Sequence, residues 1–448
     1  MKVKIIFITA FLLIPIFLLS QEKTDSIKIH NLSLDEAKQF AIENNYQNKN
    51  SKIDIEIAKK QIWETTAIGL PQINASGEYS NMIQIPTQML PGEFFGAPGS
   101  YIPVQFGQQH NLSGTITATQ LIFSGEYIVG LQASKIFLEI SKQSYSKSTK
   151  SIKETVTKSY YLALIAEESK KILEETGKNF ESLLNKIEQS YKLGFVEDID
   201  VDQLRLTKQN NDNTLITINN QIELSKRLLK YQLGISFKDS LILSDSLDIF
   251  VEKLDFSDIV TKEFDLESNI DYKLMQTQEA VAELNLKREK SLYLPQLSAF
   301  FTHSQNAYNN DFADLTSEWF PSTIFGLNLN IPIFSSGLKN SKVKQRKLKL
   351  EQTKNQKEQL EQSLGLQADQ YRKEFINAKN KFENEKSNMT LAKRINDKTE
   401  IKYNNGVSSV NDLMIVQNQY LSSLNNYYLA LSTLLETRAT LEYILLEN

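Results

Sequence analysis

Leu70-Pro71-Gln72-Ile73-Asn74-Ala75-Ser76-Gly77-Glu78-Tyr79-Ser80 decides how this chain is read. From Gln72 its side chains alternate. Ile73, Ala75, Gly77 and Tyr79 fall on one side, and Gln72, Asn74, Ser76, Glu78 and Ser80 on the other. A period of two marks a β-strand with one apolar and one polar face. The opening of the stretch recurs as Leu294-Pro295-Gln296-Leu297. Ile122-Phe123-Ser124-Gly125 is echoed by Ile333-Phe334-Ser335-Ser336-Gly337. Tyr191-x-x-Gly194 with Asp200 is echoed by Tyr403-x-x-Gly406 with Asp412. Three echoes in one order, at similar offsets, predict a duplicated structural unit.

Alternation continues at three further places. Leu112, Gly114, Ile116, Ala118 and Ile122 alternate with Asn111, Ser113, Thr115, Thr117 and Thr119. Phe325, Leu327, Leu329 and Ile331 alternate with Gly326, Asn328 and Asn330. Gln296 to Gln305 alternates less cleanly, because Phe300 falls on the polar side. Tyr79, Tyr101, Tyr308, Trp319 and Phe320 flank these strands, and between the first two lies a loop, Ile85 to Gln109.

Proline and glycine punctuate the rest. Beyond Pro15, five prolines lie between Pro71 and Pro103 and three between Pro295 and Pro332. Proline is excluded from helix interiors at about 3 kcal/mol. Gly125 to Leu193 and Leu338 to Asn404, both free of it, therefore predict helices about 100 Å long. Ser33 to Gly69, Asp198 to Leu233, Asp258 to Tyr293 and Ser408 to Glu447 predict shorter ones, two stacked beside each long helix. Leu364, Ala368, Tyr371, Phe375, Ala378, Phe382, Glu385, Met389 and Ala392 form a seam at alternating steps of four and three, the spacing of a coiled coil. Leu413, Tyr420, Leu424, Tyr427, Leu431, Leu434, Leu441 and Leu445 form another. Met414, Leu421, Tyr428 and Leu435 form a second seam on the same segment, so that helix packs on two neighbours. Gly194 and Gly406 mark sharp helix–helix turns.

Composition excludes several functions. The 448 residues carry 50 basic and 54 acidic side chains, a net charge of −4, with no basic field for nucleic acid. There is no cysteine, and the three histidines lie far apart, so neither thiolate chemistry nor a cysteine- or histidine-rich metal site is expected. No glycine-rich phosphate loop or nucleophile elbow occurs, so no catalytic residue and no cofactor is assigned and the chain is not read as an enzyme. Lys2 and Lys4, the apolar run Ile5 to Leu19 and the small Ser20 have the tripartite form of a secretory signal over 1–20. No later segment is apolar for 18 residues. An exported chain that spans a membrane then does so with strands, which need about 9–11 residues.

Four strands cannot close in lipid, because their edges leave backbone groups unpaired at several kcal/mol each. Two copies give eight strands, whose barrel is filled by side chains. Three copies give twelve strands, a water-filled lumen and a ring of helical stacks.

With these motifs the chain resembles the TolC-type outer membrane efflux proteins over nearly its whole exported length. The resemblance rests on Leu70-Pro71-Gln72, Leu294-Pro295-Gln296, the Phe123 and Phe334 motifs and the two Tyr-x-x-Gly turns. It implies a mainly α fold with membrane β: four strands per chain in a trimeric twelve-stranded barrel, above a long α-helical periplasmic barrel. The organisation expected is a first repeat over 21–234, with a strand hairpin at 71–123 and a helical hairpin at 125–233. An equatorial segment at 235–257 follows. A second repeat covers 258–448, with hairpins at 295–334 and 338–447. The implied function is the outer-membrane exit duct of a tripartite efflux or type I secretion system. Its implied partners are two further copies, a periplasmic adaptor, an inner-membrane transporter and outer membrane lipid. The resemblance places a gate at Tyr403, Asp412 and Asp200, with adaptor docking at the Gly194 and Gly406 tips and strand entry at Pro71 and Pro295. Ser408 stands where some relatives have an arginine holding the gate shut, and Ile415 where some have a second acidic ring. The alternative is a periplasmic scaffold or adaptor without a pore.

Overall fold

The structure, a computed structural model, describes residues 27–96, 98–247, 251 and 257–445. The expected signal segment lies outside the described residues, as does part of the equatorial segment. Four strands, β2 (Gln72–Asn81), β5 (His110–Ser124), β7 (Gln296–Asn309) and β8 (Phe320–Asn330), form one antiparallel sheet in the order β2-β5-β7-β8. Each repeat supplies one pair, and β5 joins β7 across the duplication. The edges β2 and β8 each have one side without a strand partner among the described residues.

Register sorts the faces. Ile73 lies opposite Ala118, Ala75 opposite Ile116 and Tyr79 opposite Leu112, so the apolar sides of β2 and β5 coincide. Phe301 opposite Phe325 and Leu297 opposite Leu329 continue that side. On the polar side Thr115 and Ser304 hydroxyls meet at 2.9 Å, and Thr117 and Thr302 at 3.3 Å. Phe300, the residue that breaks the alternation, lies opposite Gly326 and its ring fills the space where a Gly326 Cβ would stand. A glycine opposite an aromatic makes that exchange possible on a polar face. The apolar side has its own exceptions. His303 and Gln305 fall on it, and His303 Nδ1 lies 2.8 Å from Thr323 Oγ1.

The helices continue the sheet downward. α2 (Tyr46–Ile68) leads into β2, α3 (Gly125–Lys192) leaves β5, α6 (Ile270–Ser291) leads into β7 and α7 (Leu338–Asn404) leaves β8. They pack in the same lateral order as the strands: α2 on α3, α3 on α6, α6 on α7. α4 (Asp198–Leu233) packs lower on α3, and α8 (Val410–Leu445) lower on α7 and α3. Each long helix thus has two short ones stacked beside it. On α7 the seam residues Leu364, Ala368, Phe375, Ala378, Phe382 and Ala392 are buried.

Two helix boundaries differ from expectation. The first predicted helix is broken into α1 (Leu34–Asn44) and α2. Asn45 adopts a non-helical ψ of 131°, and its side chain accepts hydrogen bonds from the N–H groups of Gln47 and Asn48. An asparagine that caps a new helix stops the old one without glycine or proline. The second repeat's lead helix begins at Ile270 rather than Asp258, because Asn269 caps it in the same way; only a short α5 (Ser257–Thr261) precedes it.

Midway along the column, β1 (Ile29–Leu32) pairs in parallel with β6 (Ser240–Leu243). The buried Tyr160 hydroxyl donates to the Leu32 carbonyl at 3.0 Å, pinning this pair to α3. Burial beside Asp245 pushes the Tyr160 hydroxyl's pKa far above its ordinary value. The main core gathers here, with Phe375, Leu229, Leu233, Leu431, Leu434 and Leu441 fully enclosed. The expected loop between β2 and β5 holds a small hairpin of β3 (Thr87–Pro91) and β4 (Tyr101–Gln105). Pro91 ends β3 and Pro103 lies on β4, which has no other strand neighbour among the described residues, so a missing N–H is tolerated there.

Candidate functional site at the helical tips

The two far turns share one backbone construction. Gly194 has φ +78° and Gly406 φ +71°. Gly194 N–H donates to the Tyr191 carbonyl at 2.9 Å, and Phe195 N–H to Ser190 at 2.9 Å. Gly406 N–H donates to Tyr403 at 2.9 Å, and Val407 N–H to Lys402 at 2.9 Å. This pair of bonds, with glycine in the left-handed region, is the Schellman helix end. The tyrosine of each Tyr-x-x-Gly motif thus supplies the carbonyl that closes its turn. Phe195 and Val407, next in sequence, are 80% and 75% exposed, so each tip presents an apolar residue to solvent.

The aspartates lie in the first turn of the following helices. Asp200 Oδ2 accepts from the Glu197 N–H at 3.3 Å. Asp412 Oδ2 accepts from the Ser409 N–H at 3.1 Å and the Ser409 hydroxyl at 2.8 Å, while Ser409 Oγ accepts from the Asp412 N–H at 3.1 Å. That reciprocal pair is a capping box. Ser408 Oγ also donates to Asp412 Oδ2 at 3.3 Å. The Ser409 hydroxyl, then the Ser409 N–H and Ser408, hold the Asp412 carboxyl below the usual carboxylate range. Asp412 is exposed and ionised at neutral pH, so it is both a helix cap and a surface charge.

Tyr403 packs against a core at the tips that also holds Val201 and Leu204 of the other hairpin. Burial first, then the charge of Asp200, raises the Tyr403 hydroxyl above its ordinary pKa. Tyr403 packs against a second core of Phe180, Ile187, Leu204, Val410, Leu413 and Met414, drawn from α3, α4 and α8. This small core, separate from the equatorial one, fixes the tips relative to each other. Asp412 has no contact with Tyr403 among its hydrogen bonds and lies on the serine side of its own helix start. Ile415 is exposed at 58%.

Arg205, not singled out from the sequence, bridges Asp202 at 2.9 Å and Glu188 at 3.0 Å, tying α4 to α3 just above the first turn. The spacing of Asp202 and Arg205 was the available signal. At the other end, Pro71 and Pro295 follow the last turns of α2 and α6 and release the chain into β2 and β7. Gln72 Nε2 donates to the Ala67 carbonyl at 2.8 Å, closing the end of α2. Among the described residues no group of side chains is placed to hold a metal ion, and no helix is long and apolar enough to cross a membrane.

Residues 266–445 match the family described as outer membrane efflux protein. No curated protein matches the chain. Among solved structures it is similar to the Campylobacter jejuni CmeC outer membrane channel, with TM-score 0.71 and 16% identity over 93% of this chain and 86% of that one. It is similar to the open state of the Neisseria gonorrhoeae MtrE outer membrane channel, with TM-score 0.70 and 18% identity over 92% and 88%. The Vibrio cholerae outer membrane protein VceC gives TM-score 0.70 and 11% identity over 92% and 95%. The family match thus falls on the second repeat, and the chain as a whole has the fold of these outer membrane channel protomers.

Proposed function

We propose that this chain is one third of an outer-membrane exit duct. Three copies would join β8 of one to β2 of the next and close a twelve-stranded barrel above a helical tunnel. One observation carries the reading: a four-stranded sheet whose two edges have no strand partner among the described residues runs directly into four helical columns in the same lateral order. The sheet has an apolar side for lipid and a hydroxyl- and amide-rich side for a wet lumen. Open edges in lipid are too costly to persist, so the sheet needs further copies. The duct is passive, with its helical part in the periplasm, and takes cargo from an inner-membrane transporter through a periplasmic adaptor. The exposed Phe195 and Val407 at the tips are the apolar anchors we assign to adaptor docking at Gly194 and Gly406.

The gate is assigned to Tyr403, Asp200 and Asp412. The packing of Tyr403 on the core that holds Val201, next to Asp200, supports the first pair. Three ionised copies of Asp412 around a narrow opening would attract cations and repel anions. With Ser408 in place of a guanidinium, the second hairpin is held at this point by hydroxyl hydrogen bonds rather than by an ion pair.

The experiment is reconstitution of the full chain in planar bilayers. The expected result is a heat-sensitive trimer in detergent that conducts with cation preference, reduced in Asp412→Asn. A detergent-independent monomer without conductance would refute the duct. Conductance with unchanged selectivity in Asp412→Asn would refute the acidic ring alone.

A further inference from the structure

The upper end of α7 carries a block of one charge. Leu338 to Lys349 holds six basic side chains and no acidic one. The corresponding start of α3, Gly125 to Ile136, holds one of each, Glu126 and Lys135, so the fold does not require the block. Lys342 and Arg346, Lys344 and Lys347, and Arg346 and Lys349 are like charges at helical spacing, which destabilises a helix. Neighbours relieve only part of this. Lys339 Nζ donates to the Leu292 carbonyl at 2.6 Å, and Arg346 bridges Glu289 at 3.5 Å. Lys344 and Lys347 are exposed and have no acidic partner among the described residues. The end of α6 adds Lys287 and Lys290, both exposed. Lys287 donates to Gln132, an uncharged partner, and Lys290 has no acidic partner among the described residues.

Helical geometry gathers these lysines on one side. A cavity of about 730 Å³ among α2, α3 and α6 is lined by Asn285, Arg288 and Gln296. Gln296 lies on the hydroxyl-rich side of the sheet, so the cavity marks the side assigned to the lumen. At about 100° per residue, Lys290 projects from the opposite side of α6, on the line of Glu279 about three turns below it. Lys354 of α7 reaches that same Glu279 at 3.9 Å, and Lys347 stands about two turns above Lys354 on the same line. Lys287, Lys290, Lys344 and Lys347 thus face away from the lumen, within about 15 Å of the start of α7. Above them Ile331 and Ile333 continue the apolar alternation of β8 and are exposed, Ile333 at 93%. Exposed apolar side chains above a band of cations follow the order of a bilayer boundary, hydrocarbon and then headgroup.

We propose that this basic face binds anionic phospholipid headgroups of the leaflet that faces the periplasm. The proposal rests on the reading of the chain as an outer-membrane duct, which sets the strands in lipid and the helices below it. Charge complementarity carries it: cations that repel one another within the chain are relieved by phosphates outside it. Lysine stems lie along the apolar surface and carry the ammonium up to the headgroups. Each basic side chain close to a membrane surface adds to the attraction for anionic lipid, and salt screens that attraction. The start of α3, with Glu126 and Lys135 at the same level, offers no such face, so each chain holds anionic lipid on its second half.

The test is electron spin resonance of the full chain in phosphatidylcholine vesicles, with spin-labelled phosphatidylglycerol or phosphatidylcholine as the probe. The expected result is that the chain immobilises phosphatidylglycerol about fivefold more strongly than phosphatidylcholine at low salt. That preference should vanish near 0.5 M salt, on the order of the concentration that screens exposed charges. Replacing Lys290, Lys344 and Lys347 together by glutamine should abolish it, and replacing the three by arginine should keep it. Lys386→Gln, Lys393→Gln and Lys398→Gln together, far down α7, should leave it unchanged. No preference in the unaltered chain, or a preference that survives the three glutamines, overturns the proposal. Dissociation of the copies in the glutamine variant would assign these lysines to the contact between subunits and overturns it too. A chain that conducts in planar bilayers without the lipid preference refutes this face alone; a chain that does not enter the vesicles refutes the duct as well.

Discussion

The first helical hairpin and the second turn back with the same backbone bonds, yet their next helices start differently. At Gly194 and Gly406 the two Schellman ends match bond for bond. Beyond them the first helix starts at Glu197 with Asp200, and the second at Ser409 with Asp412. The upper ends diverge further. The first strand pair encloses a 28-residue connection with its own small hairpin, whereas β7 and β8 are joined by ten residues. Geometry that the backbone requires is kept in both repeats; side chains that only tune it differ.

The largest test of that comparison concerns the cores. Phe375 and Phe180 are both fully buried, one at the equator and one near the tips. Each change to alanine is expected to cost about 3–5 kcal/mol. Phe375→Ala should lower the midpoint of thermal unfolding. Phe180→Ala should instead open the tips, read as faster proteolysis beside Gly194 and Gly406. Equal proteolysis in both variants would mean the two cores unfold as one.

Next come the left-handed glycines. A Cβ at Gly234 would stand 2.5 Å from the Asn44 carbonyl oxygen, whereas nothing lies within 4 Å at Gly406. Gly406→Ala should cost only the roughly 1–2 kcal/mol of the backbone conformation. Gly234→Ala should cost more, and a chemical-denaturation series would rank them. The opposite ranking would mean that the α1–α2 break at Asn45 yields easily.

The caps give smaller effects. Ser409→Ala removes the hydroxyl that both donates to and accepts from the Asp412 turn, and is expected to cost about 1 kcal/mol. Amide exchange in the first turn of α8 should rise while that of α4 stays unchanged.

Smallest is the response to acid. The Asp412 carboxyl is lowered in the folded chain, so its stabilisation is present above the unfolded value. It is lost as pH falls through the folded value. Exchange in the α8 first turn should therefore accelerate in acid below the ordinary carboxylate range. Asp412→Asn should abolish that pH dependence.

Much of the fold is legible in the sequence because proline and glycine are strong local signals. The spans of α3, α4 and α7 follow from them almost to the residue. The break at Asn45 and the late start at Ile270 are made by asparagine caps, which look like any polar residue in a helical run. β1 is four residues long and its partner β6 lies over 200 positions away, so no local pattern announces it. At the tips the turns are legible, and so is the Ser409–Asp412 spacing of a capping box. What spacing alone does not convey is that Tyr403 packs on a core shared with the other hairpin, since that depends on how α3, α4 and α8 pack.

The pairing of β5 with β7 has a further consequence. One repeat ends at edge β2 and the other at edge β8, so in the proposed duct the copies would associate head to tail. Every junction between copies would then imitate the seam already built between the repeats. A closed ring of three would have near-sixfold symmetry, with three seams covalently tethered and three not. Any substitution that adapts one kind of seam confronts a different sequence at the other, so the two halves of the chain are free to drift apart only where they do not meet.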